Sequence, residues 1–301
     1  MLWKQMRQSG GYHYLLMLVP GIALLAIFSI VPMFGLMMAF QDYNPGKGMW
    51  HSPFVGFRNF SYVFNNDTSW LVLKNTLIIA ISKMVFGMVV PILFALLLNE
   101  VRLMLFKRFV QTVVYLPHFL SWVIIAGILK DILSANGLVN LFLMKLGVHD
   151  PVLFLGSNVW FRPILVGTDV WKEFGFAAIV YLAALTNINP SLYEAAEMDG
   201  ATRLQKIRYI SLPGITTTVV LLATLSLQGV LNAGFDQVFN LYNPVVQPTG
   251  DILDTYVYRV GFEQVNYELA TAVGLFKSAV SFVLIIVAYK LASRYAGYRI
   301  F

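Results

Sequence analysis

The sequence predicts an all-α membrane protein with six transmembrane helices, and three observations predict it. Of 301 residues, 58% are hydrophobic and 12% charged, where a soluble domain is about a quarter charged. The mean hydropathy is +0.70. Apolar runs long enough to cross a bilayer core, roughly 20 residues each, recur along the chain. This balance sets aside a soluble enzyme, a disordered chain and a nucleic-acid binder. The absence of cysteine excludes disulfides, thiolate metal sites and cysteine nucleophiles.

The first run is residues 14–40. It is too long for a signal-peptide core and lacks a small-residue cleavage site, so it reads as a retained helix. Pro20 and Pro32 lie inside it, where neighbouring helices satisfy the freed carbonyls. The second run, 71–98, is interrupted by Lys74 and Lys83. The third, 109–129, is predicted to kink at Pro117. The fourth, 164–185, contains Asp169, Lys172 and Glu173. The fifth is 215–235 and the sixth 271–291. Between the third and fourth, residues 130–161 hold apolar stretches too short to span, which predict interfacial helices.

Basic residues set the orientation. With the N-terminus inside, the inside segments carry Lys4, Arg7, Arg102, Lys107, Arg108, Arg203, Lys206, Arg208, Lys290, Arg294 and Arg299. The longer outside segments carry only Lys47, Arg58, Lys130, Lys145, Arg162 and Arg259. The positive-inside bias predicts that both termini are cytoplasmic. No repeat and no Pro/Gly/Ser linker stands out. The organisation is therefore one transmembrane domain, 14–293, between cytoplasmic tails 1–13 and 294–301.

One loop, 189–213, carries a specific pattern. Asn189 can cap a helix that begins at Pro190. Glu194, Ala195 and Ala196 favour helix. Gly200 can take the left-handed conformation that ends it. Thr202 can cap a second short helix carrying Arg203, Lys206 and Arg208, and Pro213 is expected to stop that helix at the membrane surface. The loop reads as a helix-turn-helix on the cytoplasmic face.

Its residues go further. Glu194-Ala195-Ala196, then Asp199-Gly200-Ala201, then Ile210-Ser211-Leu212-Pro213 resembles the EAA signature of ABC-importer permeases. Val31-Pro32, Val55-Gly56-Phe57-Arg58-Asn59-Phe60 and Tyr115-Leu116-Pro117 are similar to carbohydrate permeases of the maltose-permease class. Residues 235–244 and 249–259 resemble the polysaccharide and oligosaccharide branch. One departure is Thr216, where many such relatives have a second proline.

The resemblance implies an ABC type I importer (MetI-like) permease fold and the mechanism that goes with it. The EAA loop would be a coupling helix docked on a separate ATPase, with Glu194 touching the ATPase, Gly200 turning the chain, and Ala195, Ala196 and Ala201 allowing close packing beside Asp199, Leu212 and Pro213. The chain would be half of the translocation pathway, completed by a second homologous permease, two copies of the ATPase and an extracytoplasmic solute-binding protein. The sequence has no G-x-x-x-x-G-K-[ST] run. If transport needs ATP, a partner must hydrolyse it, and the resemblance implies that ATP and magnesium are bound by the partner ATPase and that the chain itself is not an enzyme.

Ionisable residues inside spans face the bundle interior or a water-filled cavity. They are Lys74, Lys83, Lys172, Lys277, Asp169 and Glu173. Asp169 and Glu173 share a helix face, and Lys172 lies within reach of Asp169. Internal ion pairs and snorkelling lysines account for most such groups. If they instead line the pathway, four lysines against two acids predict an acidic sugar such as a uronate or alginate oligosaccharide. A neutral glycan held by aromatic stacking is the alternative. Asn232, Phe235 and Asp236, at the outer end of helix five, are further pathway candidates. The four histidines lack ligand spacing, so no metal site is expected. Two rival readings are an ion-coupled secondary transporter using Asp169, Lys172 and Glu173, and an ABC permease for a non-sugar solute.

Overall fold

The computed structural model describes residues 11–295. The tails 1–13 and 294–301 fall almost wholly outside them, as do Lys4, Arg7 and Arg299 of the orientation argument. Apart from one isolated bridge between Gln41 and Phe54, the described backbone is helical or coil. Three helices are long and apolar enough to cross a membrane, and up to six spans result if each of three bent helix pairs is one span. The chain divides into two compact units, whose described parts are residues 11–66 with 257–276, and residues 67–256 with 277–295.

In the first unit, α1 (Gly11–Leu25) continues through a π turn (Ala26–Ile30) into 3-10 turns (Val31–Phe40). The change of winding surrounds Pro32, which cannot donate the helical hydrogen bond. None of the most apolar stretch of this span is buried within the chain. Its end is held by α2 (Arg58–Asn65), where buried Asn59 donates to the carbonyls of Ala39 (3.0 Å) and Gln41 (2.9 Å). Phe40 packs among the rings of Phe54, Phe57 and Phe60. The Val55–Phe60 segment is therefore the brace for the end of the first span.

In the second unit, α3 (Asp67–Asn99) and α7 (Phe161–Thr186) pack along each other. Two apolar clusters fasten them. One contains Ile79, Phe161, Leu165, Val238 and Leu241. The other contains Ala95, Leu98, Ala178, Tyr181, Leu185 and Ile215. Charged residues occupy the layer between. Burying such apolar side chains from water is worth about 1.5–3 kcal/mol each; inside a bilayer, tight packing and polar pairing take over that role.

Two spans depart from expectation. The third is broken, not merely kinked: α4 (Met104–Tyr115) with the turn Leu116–Phe119 meets α5 (Trp122–Ile132) at 100°. Pro117 and the N-cap Ser121, whose hydroxyl accepts from the Ile124 amide, make two helix ends there. α6 (Leu138–Lys145) follows as a short helix with an exposed apolar surface, as its length predicts.

The fifth span is shorter than predicted. α8 (Pro190–Met198) and α9 (Arg203–Lys206) form the loop hairpin. The second leg runs through a π turn (Ile207–Ser211) and ends at Gly214, one residue beyond Pro213. The chain then bends by 56° into α10 (Thr216–Ser226). Thr216, standing where a proline was expected, instead donates its hydroxyl to the Leu212 carbonyl at 3.1 Å. After Gly229 the chain leaves the helix, and Phe235 and Asp236 begin a separate α11 (Phe235–Leu241) rather than ending helix five. α12 (Leu253–Tyr258) and α13 (Tyr267–Tyr295) complete the order.

Candidate coupling loop and polar layer

The hairpin is built from local signals. Asn189 accepts from the Ser191 amide at 3.0 Å, and Pro190 occupies the first turn of α8. At the other end, the Ala201 amide donates to the Ala196 carbonyl (2.9 Å) and the Gly200 amide to that of Glu197 (3.1 Å). This crossed pair is the Schellman closure, which needs a left-handed residue between. Gly200 supplies it, with φ +75°. A Cβ there would meet nothing within 4 Å, so backbone conformation and not space demands glycine. Thr202 then opens α9 with a capping box: its amide donates to Gln205 Oε1 (2.7 Å) and its hydroxyl accepts from the Gln205 amide (3.4 Å).

Two side-chain contacts brace the legs. Lys206 Nζ meets Glu197 Oε1 at 2.6 Å, and Tyr193 and Ser211 share a hydrogen bond of 2.9 Å. The Lys206 hydrogen bond and charge hold the Glu197 carboxyl below the usual glutamate range. Glu194, Ala195 and Asp199 stand exposed on this frame, while Ala196 and Ala201 are half-buried. Leu192, Met198, Leu204 and Leu212 are also exposed apolar side chains beside Pro213. A capped hairpin offering the carboxylates of Glu194 and Asp199 amid exposed apolar side chains has the chemistry of a docking element.

The second site is the charged layer between α3 and α7. Lys83, only 8% exposed, sits within 3.1 Å of Asp169 Oδ1 and donates to the Ala233 carbonyl (2.7 Å) and to Gln237 Oε1. Gln237 in turn donates to the Leu165 carbonyl and Thr168 Oγ1, both at 2.8 Å. Gly234, at φ +89°, turns the chain beside the Lys83 ammonium. One turn further along α7, Lys172 Nζ binds Glu173 Oε1 (2.7 Å) and the His118 carbonyl (2.9 Å), with Trp122 in cation–π contact. Glu173 Oε2 meets His118 Nδ1 at 2.6 Å, and the His118 ring stacks on Phe176 with centroids 4.0 Å apart.

These contacts correct the expected pairing. Asp169 pairs with Lys83 and not with Lys172, because Lys172 is drawn to the carbonyl that the broken third span leaves free. The expected excess of lysines narrows to the exposed Lys74. Lys277 pairs with Asp254 Oδ1 at 2.6 Å and reaches Asn232 at 3.1 Å, so Lys83, Lys172 and Lys277 each face a carboxylate. Phe235 stacks on Phe239, and Asp236 lies exposed. His118, Gln237 and Asp254 were missed by sequence reasoning. His118 had a signal: it follows the proline of an interrupted span, where a carbonyl must find a partner. Gln237 and Asp254 had none, since their partners lie far away in the chain.

Asp169 and Glu173 share one side of α7, and Glu173 lies near the middle of the helix yet is 40% exposed. A carboxylate at that depth cannot rest in hydrocarbon without several kcal/mol of penalty. This side of α7 therefore faces a watery space or another polypeptide.

Comparison with known proteins converges on one family. The model of the family described as binding-protein-dependent transport system inner membrane component matches residues 87–297. Over 285 residues the chain is 43% identical to the polygalacturonan/rhamnogalacturonan transport system permease protein YteP of Bacillus subtilis strain 168, covering 94% of this chain and 88% of that one. A solved bacterial ABC transporter involved in import of the acidic polysaccharide alginate superposes with a TM-score of 0.90 at 41% identity, over 98% of this chain and 99% of that one. A bacterial alginate ABC transporter in complex with an alginate-pentasaccharide-bound periplasmic protein gives 0.88 at 41% identity, over 97% of each. The chain belongs to the family of binding-protein-dependent transport system inner membrane components.

Proposed function

We propose that the chain is one of two permease subunits of an ATP-driven importer for acidic oligosaccharides or polysaccharides. The observation that carries the reading is the capped hairpin at 189–213, which presents Glu194 on a frame the spans themselves do not need. In this reading the hairpin docks on a separate ATPase, of which two copies bind ATP and magnesium. A second permease completes the pathway. A solute-binding protein delivers sugar at the opposite face, and both termini are cytoplasmic. The relatives named for polygalacturonan, rhamnogalacturonan and alginate support an acidic glycan.

The α7 side bearing Asp169, Glu173, Phe176 and His118 is the proposed sugar path. Its lysines are neutralised in place, so they do not act as free anion traps. Glu173 and His118 offer hydrogen-bonding groups to sugar hydroxyls, and the exposed part of Phe176 offers a ring face. Asp169, Lys172 and Lys83 hold that surface rather than forming an ion relay. ATP drives transport because the hairpin binds differently to the open and closed ATPase dimer.

The test is purification from the native host, followed by ATPase and uptake assays. Co-purification of an ATPase and a second permease, with uptake of uronate oligosaccharides lost in Glu194→Lys, is the expected result. A chain that purifies alone and transports in liposomes without ATP would overturn the reading.

A further inference from the structure

Between α3 and α7 lies an apolar groove of about 480 Å³, lined by Ser82, Phe86, Pro163, Val166, Gly167 and Val170, with Arg162 at one end. At roughly 100° per residue, Arg162 stands on the same side of α7 as Asp169 and Glu173, while Val166, Gly167 and Val170 centre about 85° around the helix from them, so the groove adjoins the proposed sugar path at the end away from the hairpin and leads around the helix from it. Two features show that it is open. Gly167 has nothing within 4 Å of where a Cβ would stand, and Phe86 is more than half exposed. A glycine here costs the helix about 1 kcal/mol relative to alanine, and what it leaves is room.

Arg162 gives the groove a polarity. It lies in the first turn of α7, at the end away from the hairpin. Its Nε donates to the Thr249 carbonyl (2.9 Å) and its Nη2 to Asn75 Oδ1 (2.6 Å). Both acceptors are neutral, and among the described residues Arg162 makes no ion pair. The guanidinium is thus fixed in direction while its charge is unmatched. A fixed cation at a helix end, above an apolar slot running down two membrane helices, complements an amphiphile with an anionic head and a hydrocarbon tail.

We infer that this groove binds a membrane phospholipid with an anionic headgroup, its phosphate at Arg162 and an acyl chain along Phe86, Val166 and Val170. The inference rests on the proposed importer reading for its assay. The leaflet is the one opposite the coupling hairpin. The lipid wedges α3 against α7, the two helices that carry Lys83 and Asp169, so its occupancy bears on how firmly that layer is held.

The experiment uses the assembled transporter, reconstituted in vesicles of phosphatidylcholine alone or of equal parts phosphatidylcholine and phosphatidylglycerol. Native mass spectrometry reads retained lipid, and ATP hydrolysis reads the consequence. Wild type is expected to retain phosphatidylglycerol and to be stimulated by it. Arg162→Gln keeps hydrogen-bond donors but loses the charge, and should weaken the apparent lipid affinity about fivefold, from about one ion–headgroup interaction. Arg162→Lys should restore most of it. Gly167→Leu fills the slot and should abolish retention while basal ATP hydrolysis persists. Equal lipid retention and equal stimulation in wild type, Arg162→Gln and Gly167→Leu would overturn the inference. So would cross-linking from Ser82→Cys to a second permease subunit, which would place protein in the groove. Failure of the complex to assemble or hydrolyse ATP in wild type would count instead against the importer reading.

Discussion

The hairpin at 189–213 and the charged layer solve opposite problems with the same kinds of residue. In the hairpin, the caps close within a few positions, from Asn189 to Ser191, from Gly200 back to Glu197, from Thr202 to Gln205, and only the Glu197–Lys206 and Tyr193–Ser211 braces reach between its legs. In the layer, the partners come from remote segments: Lys83 meets Asp169 and Gln237, and Lys172 meets the His118 carbonyl. The hairpin is exposed, so its salt bridge is screened and its caps do the shaping. The layer is enclosed, so each ion there must be matched or the span is penalised. Local closure gives an element that moves as one piece; remote closure gives a joint between spans.

The comparison breaks most visibly at Lys83. Lys83→Met leaves Asp169 without its cation and strips a donor from Gln237 and Ala233. Removing one partner of a buried pair costs about 3–5 kcal/mol, which thermal unfolding in detergent will show as a large loss. Adding Asp169→Asn should recover a substantial part, since the uncompensated charge is then gone. If the double variant is no better than the single, the pair is not coupled.

Gly200→Val tests the hairpin in the same terms, with a smaller effect. A β-branched residue in left-handed backbone costs about 1–2 kcal/mol, confined to the loop. The melting of the spans should stay near wild type while ATP-coupled uptake falls sharply. Equal loss of stability and coupling would mean that the hairpin is not an independent element.

Glu173→Gln separates holding from contacting. The amide preserves shape and a hydrogen bond to His118 but gives up charge toward Lys172. If this side of α7 is the sugar path, uptake should fall several-fold with ATP hydrolysis largely intact. Unchanged uptake would assign Glu173 to packing alone.

The smallest effect belongs to the Glu197–Lys206 brace. The carboxyl's pKa is depressed by Lys206, so its contribution is present at neutral pH and is lost as pH falls through the folded-state value. Lys206→Met should therefore differ slightly from wild type at neutral pH, by circular dichroism of the hairpin region or by proteolysis. The two should converge under acid conditions. A difference that persists in acid would point to packing of the lysine stem instead.

The contrast also explains what was legible in the sequence. The hairpin could be read almost residue by residue, because caps and left-handed glycines are determined by neighbours, and the bend just after Pro213 falls where that proline predicts an end. The long spans 14–40 and 67–99 followed from hydropathy. The 100° break of the third span lies at Pro117, where a kink was expected, and the 56° bend into α10 lies beside Pro213; only the sharpness of these bends is beyond what an apolar window registers. Pairing in the layer was out of reach for another reason. Helical spacing suggested that Asp169 and Lys172 would meet, yet the deciding competitor was a carbonyl 54 positions away.

That distance along the chain has a consequence in time. Lys83 is separated from Asp169 by 86 positions and from Gln237 by 154. At about 5–20 residues per second, the ribosome delivers Gln237 roughly 8–30 s after Lys83. Throughout that interval α3 must sit in or beside the membrane with an ammonium at a cost of about 2.5–3.5 kcal/mol at the bilayer centre. Asp169 on α7 is the first of its partners to be made, 86 positions and roughly 4–17 s after Lys83. Until then the apolar remainder of α3 alone offsets the unmatched ammonium, so the order of synthesis makes the charged layer the last part of this span to be satisfied.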